Sequence, residues 1–515
     1  LMVRIAHGLG AKMCMFSSDS HQSGGRPRDR RRVLSRARPQ GERMSAEGFF
    51  VNTAAQMRVY TGPQADSPVM LKTAKAVSVT VLSDQSIFAA MKQDGPFAVE
   101  ESVSLIRPFS QQHRDWVSRL LADQVQTTKY RAVRSQIFNL LQVRDFAGIQ
   151  QLLSEKQLRQ QSRERAHQLL ARLFNIEVET HQIHTKLCEF SSTADAVINY
   201  LRNKVLSPYA PHFEISNEIA TTADPVDLLL TTFDDRYHKK ARFEAKRKLV
   251  LMNLAGAIDQ RERESDIESR FAGFLCFLND YVWSPQLRIG EHRPAYLLSE
   301  HDPADYRCTG VRVIDMETAN GLQPGPGQRL TFVKRRLFRQ GTKDIPVYVS
   351  VRKKSPAAKV LKLLRKNEKN PAVAVDDELG LMAVLDERAD VTRFVEHLTK
   401  AAARSGVLMT LEDISDTLTG GRYSAESTGS SSDTAMMKFF ARLGDARVEF
   451  IIHTNQSYLD YHYRHGVSHE EYEVRRIFDS GVAEFLFPKD IFQLDMIDLR
   501  ERQVARFRNR NAQTR

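Results

Sequence analysis

The sequence predicts an α+β protein in which a mainly helical N-terminal region precedes a domain built on a mixed β-sheet. Two observations lead to this prediction. Apolar residues recur at helical spacing from about residue 111 to residue 285. From about Tyr306 the apolar pattern alternates instead, and the alternating runs are interrupted by segments of helical spacing. A chain of 515 residues is also too long for one hydrophobic core, so several domains are expected.

These changes of pattern divide the chain into five predicted segments. They are a disordered basic segment (1–43), a small mixed α/β region (44–110), a helical domain (111–300), a mixed-sheet domain (301–490) and a basic C-terminal tail (491–515). Strands are predicted at MRVYTG and AVSVTVLSD in the mixed region, and at TGVRVIDMET, RLTFVKRRLF, IPVYVSVRKK, ELGLMAVLD and RVEFIIHT in the mixed-sheet domain. Helices are predicted there at 356–367, in VTRFVEHLTKAAARSG and from about Gln456.

The positive charge of the chain is unevenly distributed. The net charge is +12, which suggests a polyanionic partner, but residues 1–43 hold ten Lys or Arg against three Asp or Glu and account for +7 of it. This segment has little hydrophobic periodicity, so we expect it to be disordered. Three interpretations of it stay open: a basic arm for nucleic acid, a transit peptide, or sequence upstream of a start at Met44.

Several functional classes find no support in the sequence. The four cysteines lie far apart and form no CxxC pair, so neither a disulfide framework nor a zinc site is expected. No run approaches eighteen uninterrupted apolar residues, so we expect no transmembrane helix, no membrane partner and a cytoplasmic location. The chain has neither a GxxxxGK(S/T) phosphate loop nor a GxGxxG motif, which leaves a P-loop or Rossmann enzyme unsupported.

The stretch VRKKSPAAKVLKLLRKNEKN, beginning at Val351, concentrates eight Lys or Arg in twenty residues. Ser355 followed by Pro356 predicts the start of a helix, with serine as N-cap and proline in the first helical position. The basic side chains are Arg352 and Lys354 at a strand end, and Lys359, Lys362 and Lys366 on one helix face. Together with the helix N-terminus, they predict a site for a polyphosphate. The alternative is a solvated basic face on an amphipathic helix.

Downstream acids and an aromatic residue supply what phosphate chemistry needs. Asp377 immediately precedes an apolar strand, with the adjacent Asp376 as an alternative, and either can serve Mg²⁺. Glu449 lies inside the apolar strand VEFIIHT, where an acid is costly unless it is exposed, paired or metal-bound. Tyr423 follows a Gly-rich loop, where an exposed ring can stack on a base.

In chain order these residues resemble the synthetase domain of the RelA/SpoT-type (p)ppGpp synthetases. The residues that carry the resemblance are Arg352, Lys354, Ser355, Pro356, Lys362, Asp377, Tyr423 and Glu449, with Thr454 closing the last motif. The resemblance covers roughly residues 340–480. It implies a nucleotidyltransferase-like fold for this part of the chain.

The resemblance also implies an activity, namely transfer of pyrophosphate from ATP to the 3′-hydroxyl of a guanine nucleotide (GTP or GDP) or of tRNA. The Arg and Lys residues would bind the ATP phosphates, Asp377 and Glu449 would serve Mg²⁺ and activate the acceptor hydroxyl, and Tyr423 would stack on the acceptor guanine. Lys359 and Ser355 join the phosphate-binding set through their place on the predicted helix.

The chain departs from the family pattern where the family has polar residues, at Met382, Ile451 and His453. It also lacks the His-Asp motif of the family's hydrolase domain, so alarmone hydrolysis is not expected. These departures leave two alternatives open. One is a protein of the same fold that binds a nucleotide or RNA without catalysis, and the other is an interaction scaffold dominated by its helices.

Two histidine-containing motifs have a spacing compatible with metal binding on a helix. They are HYRHGVSH, with His462, His465 and His469, and HQIHTKLC, with His181, His184 and Cys188. The alternative for the first is a polar helix near the domain edge. The alternative for the second is a set of partly buried side chains in a helical region, where His and Cys are common.

Overall fold

The computed structural model describes residues 122–176, 180–207, 209, 215–234, 236–284, 292–368, 370–420 and 433–513. The predicted segments 1–43 and 44–110 lie outside these residues, as do the strands predicted at MRVYTG and AVSVTVLSD. The chain divides into two compact units, Leu1–Ala257 with Ser480–Met496, and Ile258–Asp479 with Ile497–Arg515.

The described part of the first unit is helical, as the apolar spacing predicts. Its helices are α1 (Gln124–Leu141), α2 (Phe146–Ser154), α3 (Lys156–Leu173), α4 (Thr180–Tyr200), α5 (Asn217–Thr221), α6 (Pro225–Phe233), α7 (Lys239–Ser265), which continues into the second unit, α15 (Val482–Leu486) and α16 (Lys489–Phe492). Asp224 starts α6 as an N-cap, accepting from the Val226 and Asp227 amides, with Pro225 in the first turn. Among the described residues no helix is long and apolar enough to cross a membrane.

The second unit is built on an eight-stranded sheet. Its strands are β1 (Arg293–His301), β2 (Cys308–Ile314), β3 (Gln328–Gln340), β4 (Lys343–Lys353), β5 (Leu379–Leu385), β6 (Met409–Asp416), β7 (Met437–Leu443) and β8 (Ala446–Thr454). They lie in the order β2-β1-β3-β4-β5-β8-β7-β6. In this order all neighbouring strands run antiparallel except β5 and β8, which run parallel. The prediction of an α+β protein with a mixed sheet is therefore confirmed.

Helices of the second unit connect or follow these strands. They are α8 (Ile267–Phe277), α9 (Met316–Asn320), α10 (Pro356–Lys366), α11 (Pro371–Ala374), α12 (Arg388–Arg404), α13 (Asn455–Tyr463), α14 (His469–Asp479) and α17 (Met496–Gln513), which begins in the first unit. Thr454 at the end of β8 starts α13 through a capping box with Ser457.

The two faces of the sheet carry different residues because side chains alternate along each strand. On the core face, Leu381, Val448, Phe450 and Phe439 pack with Phe394 of α12 in one apolar cluster. Opposite-facing positions of the same strands form what we call the site face. One end of the site face is covered by Tyr458 and Leu459 of α13, which pack against Val384. The other end carries charged side chains.

Three strands arise where the sequence pattern gives little warning. Strand β1 begins at Arg293, inside the segment predicted to be helical (111–300). Strands β6 and β7 form an antiparallel pair that the pattern did not predict. The apolar alternation in β6 (MTLEDISD) is weak because five of its eight residues are polar. Most of the eight residues are also partly or fully exposed. The segment predicted as a basic tail (491–515) contains helix α17.

Candidate functional site

One row of residues crosses the site face on four adjacent strands. Arg352 of β4 lies opposite Gly380 of β5, Gly380 lies beside Glu449 of β8, and Glu449 lies opposite Phe440 of β7. Residues in register point to the same face, so Arg352 reaches across Gly380 and donates from Nη2 to Glu449 Oε2 at 3.0 Å. A Cβ on Gly380 would lie 3.0 Å from Arg352 Nε. Gly380 therefore leaves the space that the Arg352 side chain occupies.

Glu449 is 5% exposed and has a second cationic partner. Lys438 Nζ of β7 lies 2.9 Å from Glu449 Oε1, so each carboxylate oxygen faces a different cation. Burying a carboxylate costs several kcal/mol unless it is paired and hydrogen-bonded. These two partners explain how an acid is tolerated in the middle of an apolar strand.

A second group of ion pairs lies where β4 ends, α10 begins and β5 begins. The backbone amide of Lys354 donates to the Glu378 carbonyl at 2.8 Å, which joins the β4 end to the segment before β5. Lys354 Nζ lies 2.6 Å from Asp377 Oδ2, and Lys362 Nζ lies 2.8 Å from Asp377 Oδ1. Lys362 also donates to Asp376 Oδ1 at 2.8 Å. Asp377 is thus bound on both oxygens by lysines.

The charge of Asp377 is fixed by this arrangement. Burial alone would raise the pKa of Asp377, but the charges and hydrogen bonds of Lys354 and Lys362 outweigh it and hold that pKa well below its usual range. Burial lowers the pKa of Lys354, against the opposing charge of Asp377, and Arg352 lowers it further. Asp377 is consequently a carboxylate at any physiological pH.

Helix α10 is held by its cap and by a buried lysine. Ser355 is the N-cap, and its hydroxyl accepts from the Ala358 amide at 3.3 Å, as predicted. Lys359 is 1% exposed, and its Nζ lies 2.6 Å from Glu378 and 2.7 Å from Glu262. Lys359 is therefore bound to different acids from Lys362, although both lie on one predicted helix face. The interpretation of this face as solvated is wrong for these two lysines, because each is buried in ion pairs.

Three further side chains border the two ion-pair groups. Arg447 of β8 donates from Nη1 to the Asp376 carbonyl at 3.1 Å, and its Cζ lies 3.7 Å from the centre of the Phe440 ring. Burial raises the pKa of Tyr461 on α13. The charge of Arg352 lowers this pKa and the charge of Glu449 raises it. Burial lowers the pKa of Lys366, together with the charge of Lys362.

The structure brings five predicted residues together at this end of the site face: Arg352, Lys354, Lys362, Asp377 and Glu449. Ser355 caps the adjoining helix, and Lys359 lies in a neighbouring buried ion pair. Tyr423, proposed to stack on a base, lies outside the described residues. Sequence reasoning missed Lys438 and Arg447. For Lys438 a signal was available in the run MKFFARL, where this lysine lies between apolar residues as Glu449 does in VEFIIHT.

The next row across the site face holds the departures from the expected polar pattern. Met382 of β5 lies beside Ile451 of β8, and Ile451 lies opposite Lys438. His453 is fully buried, and its Nδ1 lies 3.2 Å from both the Ala435 carbonyl and the Ser457 hydroxyl. Burial lowers the pKa of His453 to about 3, so this ring is neutral. The row beyond Glu449 is therefore largely uncharged.

The carboxylates of this site can be compared with the ligands that Mg²⁺ takes in proteins. Within the part of the chain that the structure describes, no group of three or more His, Cys, Asp or Glu is arranged to hold a metal ion. Mg²⁺ in nucleotide sites usually takes one or two carboxylates and completes its shell with water and substrate phosphates. Asp377 and Glu449 are carboxylates of this kind, but each is bound by two cations, which a nucleotide would have to displace before either acid could hold Mg²⁺.

Comparisons of this chain with protein-family models, with curated proteins and with solved structures give no match.

Proposed function

We propose that the second unit contains a RelA/SpoT-like nucleotidyltransferase that moves pyrophosphate from ATP to the 3′-hydroxyl of a guanine nucleotide or of tRNA. The observation that supports the proposal is that two ion-pair groups lie at the end of β4, where their basic members Arg352 and Lys354 are two residues apart. Arg352 with Glu449 and Lys354 and Lys362 with Asp377 come from separate segments of the chain. These residues are the ones that the family resemblance selects.

The basic side chains of the site suit the phosphates of ATP. Arg352 keeps half of its side chain exposed while holding Glu449, so its guanidinium is accessible to an anion. Lys354 and Lys362 converge on Asp377 from a strand end and a helix. A triphosphate carries more charge than one carboxylate and would draw these cations away from their acids. Nucleotide binding would then release Asp377 and Glu449.

In the proposed reaction, the acceptor oxygen forms a bond to the β-phosphorus of ATP. The bond between that phosphorus and the oxygen bridging to the α-phosphate breaks, and AMP leaves. Glu449, released from its cations, accepts the proton of the acceptor hydroxyl. Arg352 and Lys438 then offset the charge that develops on the transferred group. When bound, Mg²⁺ would be held by Asp377 and Glu449 and would neutralise phosphate charge.

The experiment uses the full chain with Mg²⁺ and ATP labelled on its β- and γ-phosphates. GDP, GTP and bulk tRNA are offered in turn as acceptors. We expect label in one acceptor and a loss of at least about 100-fold in Glu449→Gln and Asp377→Asn, which remove the proposed base and the proposed Mg²⁺ ligand.

A matched control is Asp344→Asn. Asp344 lies on β4, as Arg352 does, but its carboxylate pairs with Arg339 outside the site. This variant should keep its activity. Equal losses in Asp344→Asn and Glu449→Gln would refute the assigned role of Glu449, because the loss would then follow from general damage to the sheet.

A second candidate function is a binding protein of the same fold without catalysis. The observation that favours it is that Asp377 and Glu449 each have two cationic partners already, while Met382 and Ile451 in the neighbouring row are apolar. In this case ATP or RNA would bind equally well with and without Mg²⁺, and no acceptor would be labelled. Magnesium-dependent transfer would exclude it.

A further inference from the structure

The helical first unit contains an open cavity of about 540 Å³ with a mixed polar and apolar lining. Its walls come from α3, α4 and the chain around the start of α6. Apolar side chains that contribute are Ala171, Ile183 and Leu187. A volume of this size accommodates a small organic molecule.

A buried imidazole is fixed at the wall of this cavity. His167 is 4% exposed, and its Nε2 lies 2.8 Å from Asp224 Oδ2. Asp224 is itself held by the Val226 and Asp227 amides, which donate to its Oδ1 at 2.8 and 3.1 Å. A carboxylate accepts only, so the proton lies on Nε2 and a neutral ring presents Nδ1 as an acceptor. Nδ1 makes no hydrogen bond to any described residue.

The charges around the cavity sum to a negative value. Glu164, Asp224 and Asp227 line it together with one arginine, Arg163, whose Nη2 is bonded to Asp227. Apart from the two histidines of the lining, His167 and His184, these four charged side chains leave a net charge of −2. The second oxygen of Asp227, Oδ1, is buried without a partner among the described residues. The cavity is thus acidic in a chain whose overall charge is positive.

We infer that this cavity binds a small organic cation, with an ammonium or guanidinium group on a short aliphatic body. The cation would face Glu164 and Asp227 and donate to His167 Nδ1, while its aliphatic part would lie on Ile183 and Leu187. An anion is disfavoured because three carboxylates of the lining outnumber its one arginine, which is bonded to Asp227 through Nη2 and keeps only Nε without a hydrogen-bond partner among the described residues. The inference is independent of the activity proposed for the sheet.

The test is a calorimetric titration of the full chain with agmatine, which carries a guanidinium and an ammonium on a four-carbon chain. Glu164→Gln and His167→Asn change the cavity. Glu189→Gln is the matched control, since Glu189 lies exposed on α4, pairs with Lys186 and does not line the cavity. Circular dichroism checks the fold of each variant.

We expect saturable binding that is about three- to tenfold weaker in Glu164→Gln and unchanged in Glu189→Gln, since one partly exposed charge contributes roughly this much. His167→Asn should also weaken binding, because it removes the acceptor. Absence of saturable agmatine binding would overturn the inference. Equal weakening in Glu164→Gln and Glu189→Gln, or binding of inorganic phosphate that Glu164→Gln strengthens, would overturn it as well.

Discussion

Glu449 and Asp377 are acids in positions that would be unfavourable without their cations. Glu449 is held by Arg352 and Lys438, and Asp377 by Lys354 and Lys362. Removing one partner of a buried pair leaves an uncompensated charge, which costs about 3–5 kcal/mol. At the scale of single residues, the site is therefore a set of interlocked pairs that only a strongly charged ligand can rearrange.

Gly380 allows a direct test of the Arg352–Glu449 pair. A Cβ there would lie 3.0 Å from Arg352 Nε, so Gly380→Ala should push the flexible Arg352 side chain away from Glu449. We expect weaker ATP binding, measured by titration with a fluorescent ATP analogue. Thermal unfolding should show little change in melting temperature, because Arg352 is half exposed and Lys438 still pairs with Glu449.

The matched control for this prediction is Gly273→Ala. Gly273 lies on α8, and a Cβ there meets nothing within 4 Å. This variant should bind ATP normally and gain about 0.5–1 kcal/mol of stability, since alanine favours helix over glycine. Unchanged ATP binding in Gly380→Ala would contradict the role given to Arg352.

Among single residues, the sequence indicated Glu449 and Asp377 because acids beside or inside apolar strands are rare. It could not indicate that Lys438 pairs with Glu449, because this pairing depends on the register between β7 and β8. That register places Lys438 opposite Ile451 and Phe440 opposite Glu449. Strand pairing is a non-local property, and the local pattern of β7 gives no information about its neighbour.

At the scale of elements, Ser355 at the start of helix α10 has two possible roles that can be tested separately. Its hydroxyl caps the helix, while its place beside Lys354 also suits phosphate contact. Ser355→Asp should keep the cap, since aspartate is as good an N-cap as serine, and leave stability within about 0.5 kcal/mol. Its negative charge should weaken ATP binding about tenfold. Urea unfolding and ATP titration measure the two effects separately.

Ser355→Ala provides the complementary variant. It removes the cap and should cost about 1 kcal/mol of stability, while adding no charge. If Ser355→Asp binds ATP as tightly as the original chain, the start of α10 is not close to the phosphates.

Helix α13 makes the second unit sensitive to acid. His462 on this helix packs edge-on against Tyr458 at 4.4 Å between ring centres, and its Nε2 has no partner among the described residues. Burial lowers the pKa of His462 to about 4. The unfolded chain therefore binds the proton first, at its ordinary pKa of about 6.5, and stability falls as the pH drops from there towards 4.

We predict that His462→Phe reduces this acid sensitivity. The phenyl ring preserves the packing and cannot be protonated, so it should remove about 1–2 kcal/mol of the stability lost between pH 7.5 and pH 5. Urea midpoints of the original chain and of His462→Phe at both pH values give the comparison. An identical loss in His462→Phe and the original chain would contradict burial of a neutral His462.

Prediction of the elements succeeded where one face of a helix or strand is apolar. The strong alternation or apolar run in β4, β5 and β8 and the helical spacing of α12 located these elements within a few residues. Strand β6 escaped because it is polar and lies at the sheet edge. Edge strands bury little, so their sequences carry a weaker apolar signal.

For the whole molecule, composition and periodicity predict a helical part and a mixed-sheet part, and both are present. They could not predict that residues 480–496 group with the first unit while residues 497–515 group with the second. Such groupings depend on contacts between segments far apart in the chain. The charge of the molecule is likewise a poor guide to its sites, because Arg352, Lys354 and Lys438 of the sheet site are paired with acids and the helical cavity is acidic.

The central claim is that the charged end of the site face transfers pyrophosphate. The most direct measurement is the product balance of the full chain with ATP, Mg²⁺ and the accepted 3′-hydroxyl compound, resolved by mass spectrometry. We predict one AMP for each acceptor molecule that gains a pyrophosphoryl group, and neither product in Glu449→Gln. Formation of ADP in place of AMP, or a folded chain that leaves GDP, GTP and tRNA unmodified, would contradict the claim.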